Sequence, residues 1–186
     1  MKKIIFLIIA SLTVNYASSQ ITKGFWMFGG NGSLSSNNIV SPLGTIKSTL
    51  VYIQPKVGVF LFDKLATGII VNYELNRSKN SSIPVSSTST YGIGSFIRYY
   101  LLEKDNRLNL LTELNGVFNR QTGVNNSNSG LIQYSILTGP VIFLNSSIAL
   151  EILTGYRRSN ETKSEGSYNN EFLIQIGLQI HLEKDR

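Results

Sequence analysis

The sequence predicts an all-β chain: an eight-stranded, antiparallel, up-and-down transmembrane β-barrel. Three observations carry this prediction. Apolar and polar residues alternate over long stretches, most clearly in Glu171–Leu182. There Phe172, Ile174, Ile176, Leu178, Ile180 and Leu182 share one face, and Glu171, Gln175, Gly177, Gln179 and His181 share the other. Short and long connections alternate between such stretches, as they do between the two rims of an outer-membrane barrel. No stretch beyond the N-terminal leader shows the apolar period of an amphipathic helix.

The leader comes first. Met1-Lys2-Lys3 precedes the apolar run Ile4–Ala10, and Ala17 and Ser19 suit the small positions before a cleavage site. Residues 1–19 therefore read as a signal peptide, and residues 20–186 as the barrel domain starting at Gln20. The run is shorter than the roughly 20 apolar residues that a spanning helix needs. The 186-residue chain carries a formal net charge of +6, which becomes 6 − 2 = +4 once Lys2 and Lys3 leave. Its basic residues are scattered, whereas nucleic-acid binding needs a dense stripe, so nucleic acid is not an expected partner. There is no cysteine. An exported domain without disulfides must be stabilised in another way, and a closed hydrogen-bonded sheet is one.

The predicted strands are Lys23–Leu34, Thr49–Phe62, Leu65–Arg77, Ser89–Leu102, Leu108–Arg120, Leu131–Phe143, Ile148–Arg158 and Tyr168–Leu182. The first is ambiguous, because Phe25-Trp26-Met27-Phe28 is apolar on both sides. In the others one parity is oily: Val51 to Leu61, Leu65 to Leu75, Tyr91 to Leu101, Leu108 to Phe118, Ile132 to Ile142 and Ile148 to Tyr156. The opposite parity mixes Lys56, Asn72, Glu74, Arg98, Glu113, Gln133, Glu151 and Arg157 with glycines and a few bulky residues such as Phe60 and Phe96. A narrow barrel packs its interior with side chains, which accounts for bulk beside glycine. Asp63-Lys64, Glu103–Arg107 and Leu144–Ser147 read as tight turns. Ser35–Ser48, Ser78–Thr88, Gln121–Gly130 and Ser159–Ser167 read as long polar loops. Tyr73, Tyr91, Phe118, Tyr134, Tyr156 and Phe172 lie on the oily parity towards those loops and predict an aromatic girdle at headgroup level. Tyr99 falls nearer the other rim.

Three segments carry a family resemblance: Gly24-Phe25-Trp26-Met27-Phe28-Gly29-Gly30, then Ile53–Phe60 with Asp63–Gly68, then Ser95-Phe96-Ile97-Arg98-Tyr99-Tyr100. On these the chain resembles the small outer-membrane β-barrel domain family of Gram-negative bacteria, the OmpA/OmpX-like eight-stranded barrels. The resemblance implies a place in the cell outer membrane, contact with outer-membrane lipid and lipopolysaccharide, and insertion by the barrel-insertion machinery. It implies no shared chemistry. Members often end on an aromatic residue that this machinery reads. Here Leu182 is followed by Glu183-Lys184-Asp185-Arg186.

Glu74, Arg98, Glu113, Glu151, Arg157 and Glu171 form the strongest polar constellation, with Glu74 expected to flank Arg98. Isolated charge inside a narrow wall is costly, so these groups predict either an interior salt-bridge plug or a gated ion path. Arg77, Arg120 and Arg158, within a wider set of Lys47, Lys79, Arg157 and Lys163, predict a rim that contacts lipopolysaccharide phosphates or solubilises the loops. His181 is the lone histidine. It is expected to face inward near the short-turn rim, and Lys56 and Glu183 offer it no evident catalytic pairing. Neither a metal nor a nucleotide cofactor is implied. The expected role is non-enzymatic, through extracellular loops that meet an unknown ligand or through envelope structure. The alternatives are a soluble exported barrel with its oily faces inward around a lipid or ligand, an outer-membrane lipid or peptide hydrolase using His181, and a passive pore.

Overall fold

The computed structural model describes residues 21–41, 44–80, 83–122, 129–162 and 168–183. The predicted signal peptide, Lys163 and the residues after Glu183 lie outside the described residues. So do 123–128 and 163–167 within the third and fourth predicted loops. Eight strands follow one another: β1 (Trp26–Ser41), β2 (Gly44–Phe62), β3 (Leu65–Asn80), β4 (Ile83–Tyr100), β5 (Leu108–Thr122), β6 (Ser129–Phe143), β7 (Ile148–Glu161) and β8 (Tyr168–Leu182). Each pairs antiparallel with its sequence neighbours, and β8 returns to β1, so the sheet closes as an up-and-down barrel. The described residues contain no helix.

Two of the expected loops are corrected. Residues 35–41 and 44–48, and residues 78–80 and 83–88, continue as paired strands, with β1 and β2 in register up to Ser41↔Gly44 and β3 and β4 up to Asn80↔Ile83. Their Ser, Thr and Asn residues carry no apolar alternation. The ladder propagates through backbone groups alone once the strands are aligned below. At the other rim the turns are tight, and Lys64 takes the left-handed backbone conformation (φ 68°) between β2 and β3. The chain before β1 tucks under this rim. Lys64 N donates to Ile21 O at 2.8 Å, Gly24 N to Phe60 O at 2.8 Å, and Lys23 N to Asp63 Oδ1 at 2.9 Å.

Register fixes the barrel's shape. Successive partners run Met27, Gly58, Gly68, Phe96, Asn115, Ser135, Arg157, Glu171. Continuing the β8–β1 register (Trp26↔Leu182, Gly32↔Ile176) brings Glu171 to position 37, ten residues along β1 from Met27. A stagger of ten residues at about 3.3 Å each, over eight spacings of about 4.8 Å, tilts the strands by about 41°. An eight-stranded barrel of this kind leaves room for side chains and little else.

The wall is apolar outside, and inside it mixes buried charges and amides with apolar side chains. Leu65–Leu75, Tyr91–Leu101, Leu108–Phe118, Ile132–Ile142 and Phe172–Leu182 are the outward runs. Each covers ten steps along its strand, which at that tilt rise about 25 Å. Arg77, Arg120, Arg158 and Asn170 stand outward just above this band. Wall hydroxyls inside the band are returned to the backbone: Thr67 Oγ1 donates to Phe96 O at 2.7 Å, and Thr138 Oγ1 to Leu111 O at 3.0 Å. Trp26 and Phe28, ambiguous in sequence, face outward and stack on each other, and Met27 between them is buried in the lumen. The oily faces are therefore not turned inward, as a soluble lipid-binding barrel would require.

Candidate functional site

The lumen is the candidate site, and it is layered. At the short-turn end lies an apolar floor of Ile21, Met27, Phe60, Tyr100, Leu111 and Phe143, all buried. Strand alternation sends Met27, Phe60, Tyr100, Leu111 and Phe143 inward from five different strands, and Ile21 comes from the segment before β1. His181 sits among them, edge-on to Phe60 with ring centroids 5.5 Å apart and 5.8 Å from the Phe143 ring. Neither ring nitrogen of His181 has a hydrogen-bond partner. It faces inward near the short-turn rim, where it lines a depression together with Ser146, Ser147 and Glu183.

Above the floor is a charge-balanced quartet. Glu113 on β5 accepts from Lys56 on β2 and from Arg98 on β4, each ion pair at 2.5 Å. Arg98 Nη1 also donates to Glu151 Oε2 on β7 at 3.1 Å. All four side chains are fully buried. Asn115 donates to Glu113 Oε1 and Gln179 to Glu151 Oε1, so each of the four carboxylate oxygens accepts at least one hydrogen bond. Arg98 also lies over the Phe96 ring at 5.4 Å. Bulk on one strand is matched by glycine on another: a Cβ on Gly58 would come within 2.8 Å of Phe96, and one on Gly177 within 2.6 Å of Glu151 Oε1.

Next come the amides. Asn72 links Tyr52 and Gln54 on one side to Asn119 and Gln133 on the other, and Asn31 donates to Gln175 at 2.7 Å. Above them Arg157 donates to Glu171 at 2.9 Å and to the Tyr52 hydroxyl at 3.1 Å, with its guanidinium over the Tyr52 ring. Among the described residues no group of three or more His, Cys, Asp or Glu is placed to hold a metal ion.

The six charged residues expected in the lumen thus divide into two sets. Arg98, Glu113 and Glu151 meet, whereas Arg157 and Glu171 form a separate pair. Glu74 does not flank Arg98. The partner of Arg98 on β3 is Ala66, and Glu74 lies eight residues further along, about 26 Å away at strand rise. Its charged neighbours are Arg157 and Glu171. Arg157 is likewise corrected: it is a lumen residue and not part of the loop-rim cations. Lys56 is a member of the quartet that the sequence does not single out. Its inward parity is legible, but its partner lies three strands away and emerges only from the register.

Arg77, Arg120 and Arg158 are exposed on the outside. Arg158 packs over Tyr168 at 4.1 Å and donates to Asn160. Tyr73, Tyr91, Phe118, Tyr134, Tyr156 and Phe172 are all exposed on the outer wall. Tyr73 pairs with Tyr91 and Tyr156 with Phe172. Between Tyr91, Phe118, Tyr134 and Tyr156, each strand step drops two residues towards the short turns. That drop offsets the rise produced by the strand tilt, so the six rings lie near one height.

The geometry defines a class: a closed eight-stranded up-and-down barrel with a polar core and an apolar exterior. No protein-family model matches the chain, and neither does any curated protein. Among solved structures it is similar to the crystal structure of Neisserial surface protein A (NspA), at 18% identity over 85% of this chain and 97% of that one, with a TM-score of 0.47. The barrel assignment stands on the hydrogen-bond ladders without it.

Proposed function

We propose that this chain is a non-enzymatic, integral outer-membrane β-barrel protein. It acts through its extracellular loops or through envelope structure: adhesion, ligand capture or membrane integrity. The observation that carries the reading is the inverted polarity of the wall. An apolar band about 25 Å tall matches the hydrocarbon girdle of such barrels. Backbone groups in lipid must be paired internally, and the closed sheet does this everywhere but at the upper part of the β1–β8 seam. The satisfied threonine hydroxyls on the outer wall support the same placement. In it the short turns face the periplasm, and the long-loop rim faces outward.

The finer assignments follow from that placement. The six aromatics form the outer girdle. Arg77, Arg120 and Arg158 meet lipopolysaccharide phosphates, and the barrel-insertion machinery delivers the chain after its signal peptide is removed. The buried quartet and the apolar floor act as a plug, so a purified barrel in a planar bilayer is expected to show no large steady conductance. Family membership with the OmpA/OmpX-like barrels belongs to this reading too.

Cell fractionation tests it. The protein is expected to pellet with outer membranes, to need detergent for extraction, and to migrate differently on a gel before and after boiling. Release into the soluble fraction by washing overturns the placement. Replacing Arg77, Arg120 and Arg158 together with Gln is expected to weaken co-purification of lipopolysaccharide, and undiminished retention removes that contact.

A further inference from the structure

We infer that the outer wall between β5 and β7 carries a built site for a phosphate-bearing glycolipid, with one acyl chain in a groove and a phosphate on Arg158. This rests on the membrane placement proposed above. The wall is not evenly covered here. A depression of about 370 Å³ is bounded by Leu114, Tyr134, Ile136, Tyr156 and Arg158. A second, of about 300 Å³, shares Leu114 and Tyr134 and continues over Gly116 and Ser95 to Thr67 and Ile97. The cause is local. Gly116 and Ser95 are register partners on the outward parity, so the wall loses bulk where its neighbours keep it. The Tyr134 ring leans to within 3.7 Å of where a Gly116 Cβ would lie, so one depression lies on either side of it.

The two depressions share the register row Ser95, Gly116, Tyr134, Arg158. Three strand spacings along such a row climb about 9 Å at the barrel's tilt. The row starts within the apolar band and ends at its upper edge. Its floor is apolar or small, and its top is a guanidinium. A single hydrocarbon chain fits the first part, and an anion fits the second. Tyr168, stacked on Arg158, and Asn160, bonded to its Nε, form an aromatic and amide surface beside it. These groups suit sugar hydroxyls and point to a glycolipid head. Arg120 stands at the same rim but does not line either depression.

The test is native mass spectrometry of the detergent-extracted full barrel, titrated with lipid A and with dephosphorylated lipid A carrying the same acyl chains. The wild-type protein is expected to prefer the phosphorylated form by about tenfold, the loss typical of one charge-assisted contact. Arg158→Gln is expected to abolish that preference, and Arg107→Gln, at the exposed short-turn rim, to leave it intact. Gly116→Leu fills the groove without touching the charge and is expected to weaken binding of both lipids. Boiling-dependent gel migration shows that each variant is folded. Equal binding of the two lipids by the wild type overturns the site. So does an equal loss in Arg107→Gln, which would mean unspecific attraction to basic charge. Tighter binding of phosphatidylglycerol than of lipid A, or a dimer abolished by Gly116→Leu, overturns the glycolipid as occupant. A protein that stays soluble without detergent fails earlier, and on the membrane placement itself.

Discussion

Two ion-paired regions of the lumen use the same chemistry in different surroundings. The quartet of Lys56, Arg98, Glu113 and Glu151 is sealed between the apolar floor and the amide layer. The Arg157–Glu171 pair lies nearer the long loops, and the Glu171 side chain is 43% exposed. Breaking a sealed pair strands an uncompensated charge, whereas an exposed pair exchanges with water and contributes little. Similar contacts seen in coordinates therefore differ several-fold in what they do for stability.

Glu113→Gln is the most direct way to sharpen that contrast. It leaves Lys56 and Arg98 short of countercharge and is expected to cost about 3–5 kcal/mol. Urea titration followed by the boiling-dependent gel shift measures it, and a loss below that of any surface substitution breaks the contrast. Phe60→Ala tests whether the floor matters as much as the charges above it. It opens a cavity beside His181 and Tyr100 and is expected to cost about 3 kcal/mol in the same titration. Gly177→Val probes the close approach of β8 to Glu151. The added side chain must displace that carboxylate, and a loss of about 1–3 kcal/mol is expected. At the exposed end, Glu171→Gln is expected to cost at most about 1 kcal/mol. A loss as large as that of Glu113→Gln would show that water does not reach the upper pair. Smallest of all, Glu103→Gln removes the Lys64–Glu103 bridge at the short-turn rim and is expected to leave the midpoint unchanged within error.

The sequence carried this division unevenly. Strand parity was legible because apolar alternation is strong from Leu65 to Leu75 and again from Phe172 to Leu182. Parity alone placed Arg98, Glu113 and Glu151 inside and Arg158 outside. Height was less legible, because it depends on a stagger accumulated over eight ladders. That is why the sequence alone sets Glu74 beside Arg98 and does not single out Lys56. The upper halves of β1 and β2 read as loops in the sequence because Ser, Thr and Asn give no periodic signal. The aromatic setting of His181 depends on Phe60, Tyr100 and Phe143 converging from three strands, which a linear reading does not reveal.

Closure of the wall has an uneven seam. β1 and β2 stay in register as far as Ser41↔Gly44, but the β1–β8 ladder ends at Gly32↔Ile176. Beyond that point Leu34, Phe172 and Ile174 are among the most exposed apolar residues of those described. The first and last strands are thus zipped for only part of their length. Amide protons of β8 above Ile176 should trade with deuterium sooner than those below it, and the cylinder should begin to unravel from that slit.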